Sequence, residues 1–345
     1  MITRNNAVVE AAALHRVGNQ YNEEGIFLSD SLLSYDEELE ELMLHYFLMP
    51  FKSEEYYHFY HEADINLNEV YHFATAIFEN PEALLEQSVH LAQHLYSQST
   101  HPNIKGGEFY TIYFRNCMID GMEADAIGLF KSETKDTFLK VIAEAGHYGL
   151  QPEAGININR LDKGCLIFNT EQEEGYLVAA IDNTNRSMEA RYWIDDFLHI
   201  RQRQDDYYNT HNILSMCKNF VTKELPEQFE VTKADQADLL NRSVQFFKEQ
   251  DNFDMEEFSQ QVIAQPEVIE QFQQYRTRYE EDHDMALPDQ FGISEQAVKK
   301  QARVFKSVIK LDKNFHIYVH GNRELIERGE DEKGKFYKVY FKEEM

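Results

Sequence analysis

The chain has 345 residues, of which 43% are hydrophobic, and its formal net charge is −28. This composition supports one large domain or two ordinary ones with real cores, and it excludes an intrinsically disordered chain. The charge disfavours DNA binding by the chain as a whole, so a role with nucleic acid requires a local basic surface, a partner or DNA mimicry. An acidic balance is also typical of soluble bacterial proteins.

The cysteine pattern predicts reduced thiols. Cys117, Cys165 and Cys217 are odd in number and have no CxxC spacing, which is typical of a cytosolic protein rather than a disulfide framework or a zinc site. The N-terminal apolar run is broken by Glu10, so no signal peptide is predicted. No stretch approaches the roughly 20 apolar residues of a membrane helix.

The first half of the chain predicts helices followed by a run of strands. Residues 7–17 and 25–28 look like a short hairpin, and the acidic turn that starts at Asp36 suits a helix N-terminus. Two more amphipathic helices are expected at 66–79 and 81–98. From Gly107 to Asp182, short β-branched and aromatic segments separated by turn signals predict an antiparallel meander.

The second half is predicted to be mainly helical. A helical pattern runs from Arg186 to about Ala302 and includes segments at 233–249, 254–264, 266–284 and 294–304. The strand-like segments SVIKLD, NFHIYVH and KFYKVYF follow. The predicted fold class is therefore α+β, with an α+β domain that contains an antiparallel sheet at 1–185 and a mainly helical domain with C-terminal strands at 186–345.

Charge is unevenly distributed along the chain. Residues 20–104 contain 16 acidic residues and one basic residue, and residues 225–295 contain 17 acidic and five basic residues. Residues 297–323 reverse this balance, with seven basic residues and one acidic residue, a net charge of +6. If any part of the chain contacts phosphate directly, this segment is the expected one.

The DNA-binding candidates are the seven basic residues of this segment and two arginines further up the chain: Lys299, Lys300, Arg303, Lys306, Lys310, Lys313, Arg323, Arg201 and Arg203. The alternative is that the lysines line an ordinary helix and strand and form ion pairs with the acidic helices that precede them.

The two arginines belong to the stretch FLHIRQRQDDYYNTHNIL, residues 197–214. Apolar positions recur here in steps of four and three, which predicts one helix face or two helices in line. Asp205 and Asp206 are expected to neutralise the arginines in structural salt bridges. A planar guanidinium can also bind a partner's carboxylate or phosphate.

No catalytic or cofactor motif is evident. AIGLFKSETK lacks the glycines that a phosphate-binding loop needs around Lys131, so it is interpreted as the end of a strand followed by a polar turn. Glu82, Glu86, His90 and His94 form one stripe at helical spacing, which could bind a metal but is better interpreted as a solvated helix face. We predict no catalytic residue, no metal site and no cofactor.

Several segments, in order along nearly the whole chain, carry a family resemblance. They are ALHRVGN, FLSDSLL, KGGEFYTIYF, the block from GYLVAAID to THNIL, and VIKLDKNFHIYVHG. Together they resemble a divergent branch of the bacterial nucleoid-associated protein family, whose central Phe-Leu-x-x-Arg run corresponds here to Phe197, Leu198 and Arg201. The resemblance implies association with the nucleoid in the cytoplasm, without known catalysis, and it identifies no DNA-contacting residue.

Three hypotheses follow. The first is a non-enzymatic nucleoid-associated protein that binds DNA weakly or through partners, such as other nucleoid proteins. The second is an acidic protein-interaction scaffold or DNA mimic, and the third is a metal-dependent hydrolase that uses the histidine and glutamate stripe. No membrane partner is expected, and a homo-oligomer is left open.

Overall fold

The computed structural model describes residues 2–3, 6–144, 146–184, 192–303, 305, 308–311, 314–319 and 325–343. Its combination of helices with a large antiparallel sheet confirms the predicted α+β class. The chain divides into two compact units, unit 1 (Met1–Arg203) and unit 2 (Gln204–Met345).

Unit 1 is built around an antiparallel sheet of nine strands in the order β11-β4-β10-β9-β6-β5-β2-β3, with β1 paired to β5. Its elements are β1 (Ile2–Thr3), β2 (Val8–Val17), β3 (Ile26–Phe27), α1 (Glu37–Leu48), β4 (Tyr57–Phe59), α2 (Glu69–Glu79), α3 (Leu84–Gln98), β5 (Gly107–Ile119), β6 (Met122–Ser132), β7 (Asp136–Glu144), β8 (His147–Gly155), β9 (Lys163–Phe168), β10 (Leu177–Asp182) and β11 (Ile200–Gln202).

The sheet of unit 1 is covered on both faces. Along β6, Ile127 and Leu129 point into a core shared with α2 and α3, whereas Ala126 and Phe130 point into a second core shared with α1. Since successive side chains of a strand alternate between the faces of a sheet, a strand that is covered on both faces is apolar at every position. This explains the continuous apolar run AIGLF in β6.

Local signals explain where the helices begin. The side chain of Asp36 accepts a hydrogen bond of 2.9 Å from the backbone N–H of Leu39, so α1 starts where the acidic turn predicts. Asn68 caps α2 in the same way through the N–H of Tyr71. The predicted hairpin at 7–17 and 25–28 is also observed, because β2 pairs with β3.

The predicted meander needs one correction. β5, β6, β9 and β10 are consecutive neighbours in the sheet, but β7 is not among them. Instead, β7 pairs with β8, a strand that the sequence pattern did not indicate, in a separate two-stranded ribbon. The reason is that β9 (KGCLIF) is buried at every position and fits the place beside β6, whereas nearly all of β7 is exposed.

The stretch FLHIRQRQDDYYNTHNIL is not one continuous helix. A π-helical turn at Ile194–Leu198 ends at His199, whose φ of 50° is left-handed, and β11 then joins the edge of the sheet beside β4. Trp193, Phe197 and Ile200 pack in the core of unit 1. The division between the compact units falls after Arg203. The domain boundary predicted between residues 185 and 186 stays a prediction.

Unit 2 is mainly helical, and its described residues form three two-stranded antiparallel pairs. Its elements are α4 (Asp206–Asn219), α5 (Leu225–Gln228), α6 (Lys233–Glu249), β12 (Asn252–Asp254), α7 (Met255–Phe258), α8 (Pro266–Asp282), β13 (Gln290–Gly292), α9 (Glu295–Ala302), β14 (Val308–Leu311), β15 (Phe315–Tyr318), β16 (Ile326–Asp331) and β17 (Gly334–Val339).

An aromatic cluster forms the core of unit 2. Phe253 stacks on Phe247 at a centroid distance of 5.1 Å and on Phe291 at 4.8 Å, and Phe258 meets Phe246 edge-on at 5.3 Å. Phe253 and Phe291 are directly paired in the β12–β13 pair. This short pair was not predicted, because three-residue strands leave little periodic signal.

Candidate functional site

The predicted cationic residues on α9 occupy its C-terminal end. The ammonium of Lys299 lies 2.6 Å from a carboxylate oxygen of Glu295, one turn earlier, and the Lys299 side chain is 70% exposed. Lys300 donates a hydrogen bond of 3.0 Å to the hydroxyl of Tyr207. Arg303 is exposed at the C-cap position. Cations are favoured at a helix C-terminus by the helix dipole, so this charge also has a structural explanation.

Lys310 lies on the outer face of the β14–β15 pair. It is exposed and directly opposite His316, and Tyr318 on the same face is 63% exposed. On the opposite face, Ile309 is buried in a small core that includes Ala234 and Ala237 of α6. The outer face thus presents a cation beside two aromatic rings, which are groups that contact phosphates and unpaired bases.

Three of the predicted residues, Lys306, Lys313 and Arg323, lie outside the described residues. Of the others, Lys299, Lys300, Arg303 and Lys310 belong to unit 2, and both α9 and β14 contact α6. Arg201 and Arg203 belong to unit 1. The assignment of all these residues to DNA contact stays a prediction.

Arg201 and Arg203 have different surroundings in unit 1. Arg201 is exposed on the edge strand β11, with its guanidinium carbon 5.5 Å from the centre of the Tyr60 ring. Arg203 donates a hydrogen bond of 2.8 Å to Glu171, whose other carboxylate oxygen lies 2.7 Å from His58 Nε2. Meanwhile, Asp205 caps α4 through the N–H of Tyr208. Glu171 therefore offsets the charge of Arg203, an ion pair that sequence proximity did not indicate.

A buried ionic cluster, which the sequence patterns did not indicate, lies where the end of β6 pairs with the start of β9. Lys131 and Lys163 are both 0% exposed and sit directly opposite each other on the paired strands. The Lys131 ammonium lies 3.3 Å from Glu133, and the Lys163 ammonium lies 2.8 Å from Asp182 and 3.9 Å from Glu133. Two buried cations on adjacent strands are thus balanced by two carboxylates.

Tyr192 completes the ionic cluster. Its hydroxyl donates to Glu133 at 3.1 Å and accepts from Lys131 at 3.0 Å, and Lys131 also donates to the backbone carbonyl of Lys105. Burial holds the pKa of the Lys131 ammonium below its ordinary value, with a partial offset from Glu133. Burial, with Glu133 as the next cause, holds the pKa of Tyr192 well above its ordinary value.

The ionic cluster can therefore stabilise the pairing of β6 with β9 from within the core, whereas an open reaction site would need accessible groups. The Lys131 ammonium has three acceptors within the chain, which matches its three protons. The sequence carried one usable signal. AIGLFKS and KGCLIF each place a lysine next to an uninterrupted apolar run, and lysine is almost never fully buried unless it is paired.

The predicted stripe of histidines and glutamates does not lie on one helix, because Glu82 belongs to the 3₁₀ turn Pro81–Ala83, whereas Glu86, His90 and His94 lie on α3. His94 lies 3.1 Å from the backbone oxygen of Phe197, and the His90 ring stacks on Phe73. Among the described residues, no group of three or more histidine, cysteine, aspartate or glutamate side chains is arranged to hold a metal ion. Across the same part of the chain, no helix is both long and apolar enough to cross a membrane.

Comparison of the sequence with known families shows the class of protein to which this chain belongs. The sequence model of the NA37 family, described as nucleoid-associated protein YejK, matches residues 13–334. The chain therefore belongs to this family of nucleoid-associated proteins, as the resemblance indicated. A comparison with curated proteins gives no significant match.

Proposed function

We propose that this chain is a non-enzymatic nucleoid-associated protein of the bacterial cytoplasm that binds DNA weakly through a cationic surface of unit 2. The described part of this surface comprises Lys299, Lys300 and Arg303 at the end of α9 and Lys310 on β14. Membership of the nucleoid-associated family carries the proposal. The exposure of Arg303 and Lys310 supports it. The chain is proposed to be non-enzymatic because its sequence has no catalytic motif and the Lys131 ammonium of the buried ionic cluster has its three protons engaged within the chain.

The expected affinity follows from the charges. Each lysine or arginine that neutralises a phosphate releases condensed counterions, which favours binding at low salt. The net charge of −28 opposes the approach of DNA over most of the surface. Glu295 also offsets part of the charge of Lys299. Binding should therefore be weak and strongly dependent on salt, with Arg303 and Lys310 contributing most among the described cations.

We expect the double variant Arg303→Ala/Lys310→Ala to bind a labelled DNA duplex about tenfold or more weakly at low salt, because two phosphate contacts are lost. Fluorescence anisotropy between about 50 and 200 mM salt should show that the slope of log affinity against log salt falls in magnitude by about 2. Wild-type protein that shows no binding at low salt would exclude direct contact.

A matched control is Lys223→Ala/Lys248→Ala. These two lysines are also exposed in unit 2, and their loss changes the net charge equally. The control should retain the wild-type salt slope. Equal losses in both double variants would show that only overall charge matters and would contradict a localised DNA-binding surface.

An alternative function is that of an acidic scaffold for protein partners, and one cleft in unit 2 favours it. The cleft has a volume of about 780 Å³ and is lined by Asp254, Glu256, Glu280 and Asp289, with Arg276 as its one basic residue. Arg276 is engaged by Glu280 at 3.1 Å and by Asp289 at 2.5 Å. The remaining carboxylates suit a basic segment of a partner protein.

If the acidic cleft binds protein partners, proteins captured from a lysate should remain bound after nuclease treatment and should be lost with Asp254→Asn/Glu256→Gln, which removes the two carboxylates not engaged by Arg276. The control Glu267→Gln/Glu270→Gln removes two exposed carboxylates of α8 that do not line the cleft, and it should retain the partners. Loss of all partners on nuclease treatment would instead identify DNA as the bridge.

A further inference from the structure

The β7–β8 ribbon separates its residues by chemistry onto two faces. Its register pairs Leu139 with Pro152, Val141 with Leu150 and Ala143 with Tyr148. Because side chains alternate along a strand, these six residues share one face, together with the Thr137–Ala154 pair. We call this set of eight residues the apolar ribbon face. It contains no charged side chain.

The apolar ribbon face is exposed to solvent along its whole length. Leu139 is 65% exposed, Val141 63%, Tyr148 80% and Leu150 69%. The four smaller residues of the face are exposed as well. Large apolar side chains that are scattered singly on a surface need no explanation, but a contiguous row of them marks an interaction site.

The opposite face of the ribbon carries charged and polar residues together with two apolar ones, Phe138 and Ile142. Lys140 lies 3.1 Å from Glu153 across the strands, and Asp136 accepts a hydrogen bond of 2.8 Å from Asn157. Charge is therefore confined to one face of the ribbon, and the other face is uncharged, as expected of a sheet with one solvated face and one covered face. An isolated two-stranded hairpin is only marginally stable in water, so a cover over its apolar face would stabilise it.

Charge indicates what covers the apolar ribbon face. Contact with DNA or with an anionic membrane requires cations, and this face has none. Two copies of a chain with a net charge of −28 repel each other over most surface pairings. A face without charge is the place where two copies can meet without bringing carboxylates together, and a symmetric contact pairs the apolar row with itself.

The size of the face also fits a second copy. Nine residues per strand at about 3.3 Å per residue give a ribbon about 30 Å long. Eight exposed side chains at roughly 100 Å² each would bury about 800 Å² per copy, which is the share of one partner in an interface of standard size. Contact along the ribbon alone is therefore sufficient for a specific dimer.

We propose that the apolar ribbon face packs against the same face of a second copy and that the protein is a dimer joined by its ribbons. The two ribbons stack as sheets do, about 10 Å apart, with the side chains of Val141 and Leu150 near the centre of the contact. The dimer is independent of DNA contact, because neither proposed DNA-contacting element belongs to the ribbon.

Light scattering on a sizing column should give twice the chain mass of 40.7 kDa for the wild-type protein. Val141→Glu should give the monomer mass at the same concentration, with a dissociation constant for the dimer raised roughly a hundredfold or more by two buried like charges. Since Val141 is exposed in the single chain, thermal unfolding of the monomeric variant should still be cooperative. The control Gln151→Glu adds the same charge on the opposite face and should remain dimeric.

Cross-linking tests the same contact without adding charge. Under mild oxidation, Val141→Cys should form an interchain disulfide, whereas Gln151→Cys should not. The native thiols should not interfere, because Cys117, Cys165 and Cys217 are all buried. A monomeric wild-type protein, a dimer that Val141→Glu leaves intact, or cross-linking through residue 151 in place of residue 141 would each overturn the proposal.

Discussion

Replacing Glu133 by glutamine is expected to lower the free energy of unfolding of unit 1 by about 3 to 5 kcal/mol, the usual cost of breaking a buried ion pair from one side. The side chain of Glu133 is 3% exposed and lies within 4 Å of both lysine ammoniums in the ionic cluster. Its loss leaves Lys131 with only neutral acceptors, whereas Lys163 keeps Asp182. A buried ammonium without a nearby negative charge is strongly disfavoured.

The measurement is urea unfolding followed by tryptophan fluorescence. Trp193 is the single tryptophan of the chain and is fully buried in unit 1, where its indole N–H donates to the backbone oxygen of Gly164. Its emission therefore reports the unfolding of unit 1. Glu86→Gln, which removes an exposed carboxylate on α3, is the control and should change stability by less than about 0.5 kcal/mol.

A double variant distinguishes the effect of charge on stability from the effect of packing. Lys131→Met/Glu133→Gln removes the buried cation together with its partner, so it should regain most of the stability that Glu133→Gln loses. A single variant that unfolds within about 1 kcal/mol of wild type would contradict a stabilising role for Glu133. A double variant that is less stable than the single variant would show that the packing of Lys131, and not its charge balance, is what matters.

Unit 1 is also expected to lose stability steeply as the pH rises above 9. Burial raises the pKa of the Cys117 thiol from 9.0 to about 12. Burial likewise raises the pKa values of Tyr46 and Tyr113 from 10.0 to about 12. Over this range the unfolded chain releases protons that the folded chain retains, so the free energy of unfolding falls as the pH rises.

The size of the effect can be checked at one thiol. At pH 11, two units above the ordinary thiol pKa, Cys117 alone should account for a loss of about 2.7 kcal/mol relative to neutral pH. Cys117→Ala should therefore flatten the fall in stability between pH 8 and pH 11 by about this amount, although it costs some packing at both values. Urea unfolding followed by Trp193 fluorescence at the two pH values measures the difference.

The effect of Lys131 and a control variant show whether the pH dependence comes from Cys117. Lys131 acts in the opposite direction, since its lowered pKa means that the folded chain releases a proton before the unfolded chain does, which adds stability as the pH rises. It is present in both proteins and cancels in the comparison. The control Ile119→Val trims a buried side chain of the same core without removing a thiol, and it should keep the full wild-type pH dependence. A Cys117→Ala variant with the full wild-type slope would refute the role assigned to the buried thiol.

Much of the fold could be predicted because it depends on short-range patterns. The acidic turn and apolar spacing after Asp36 correspond to α1, and the segment predicted at 233–249 corresponds to α6. The C-terminal strands β14, β15 and β17 were also indicated, whereas β16 (IERGED) was not, since a charged exposed strand has no apolar alternation. Such patterns give the type of an element but not its neighbours in a sheet.

The candidate sites were less accessible to sequence reasoning. The net positive segment at 297–323 stands out in the sequence, and its described cations include exposed side chains on α9 and β14. The ionic cluster was hidden because Lys131 and Lys163 are separated by 31 other residues. Asp182, the carboxylate partner of Lys163, lies on a third strand, β10. Only the pairing of β6 with β9 brings the two lysines together.

The sequence by itself determined the α+β class, the absence of paired cysteine spacing, the acidic balance and the family, because composition and local periodicity are properties of the chain alone. The tertiary structure decided the rest. It showed that the stretch around Arg201 breaks at His199 and that β7 leaves the main sheet. It also placed two lysines beside each other in a core. Each of these outcomes depends on contacts between residues far apart in the chain, where burial and charge pairing select among arrangements that local preference leaves equivalent.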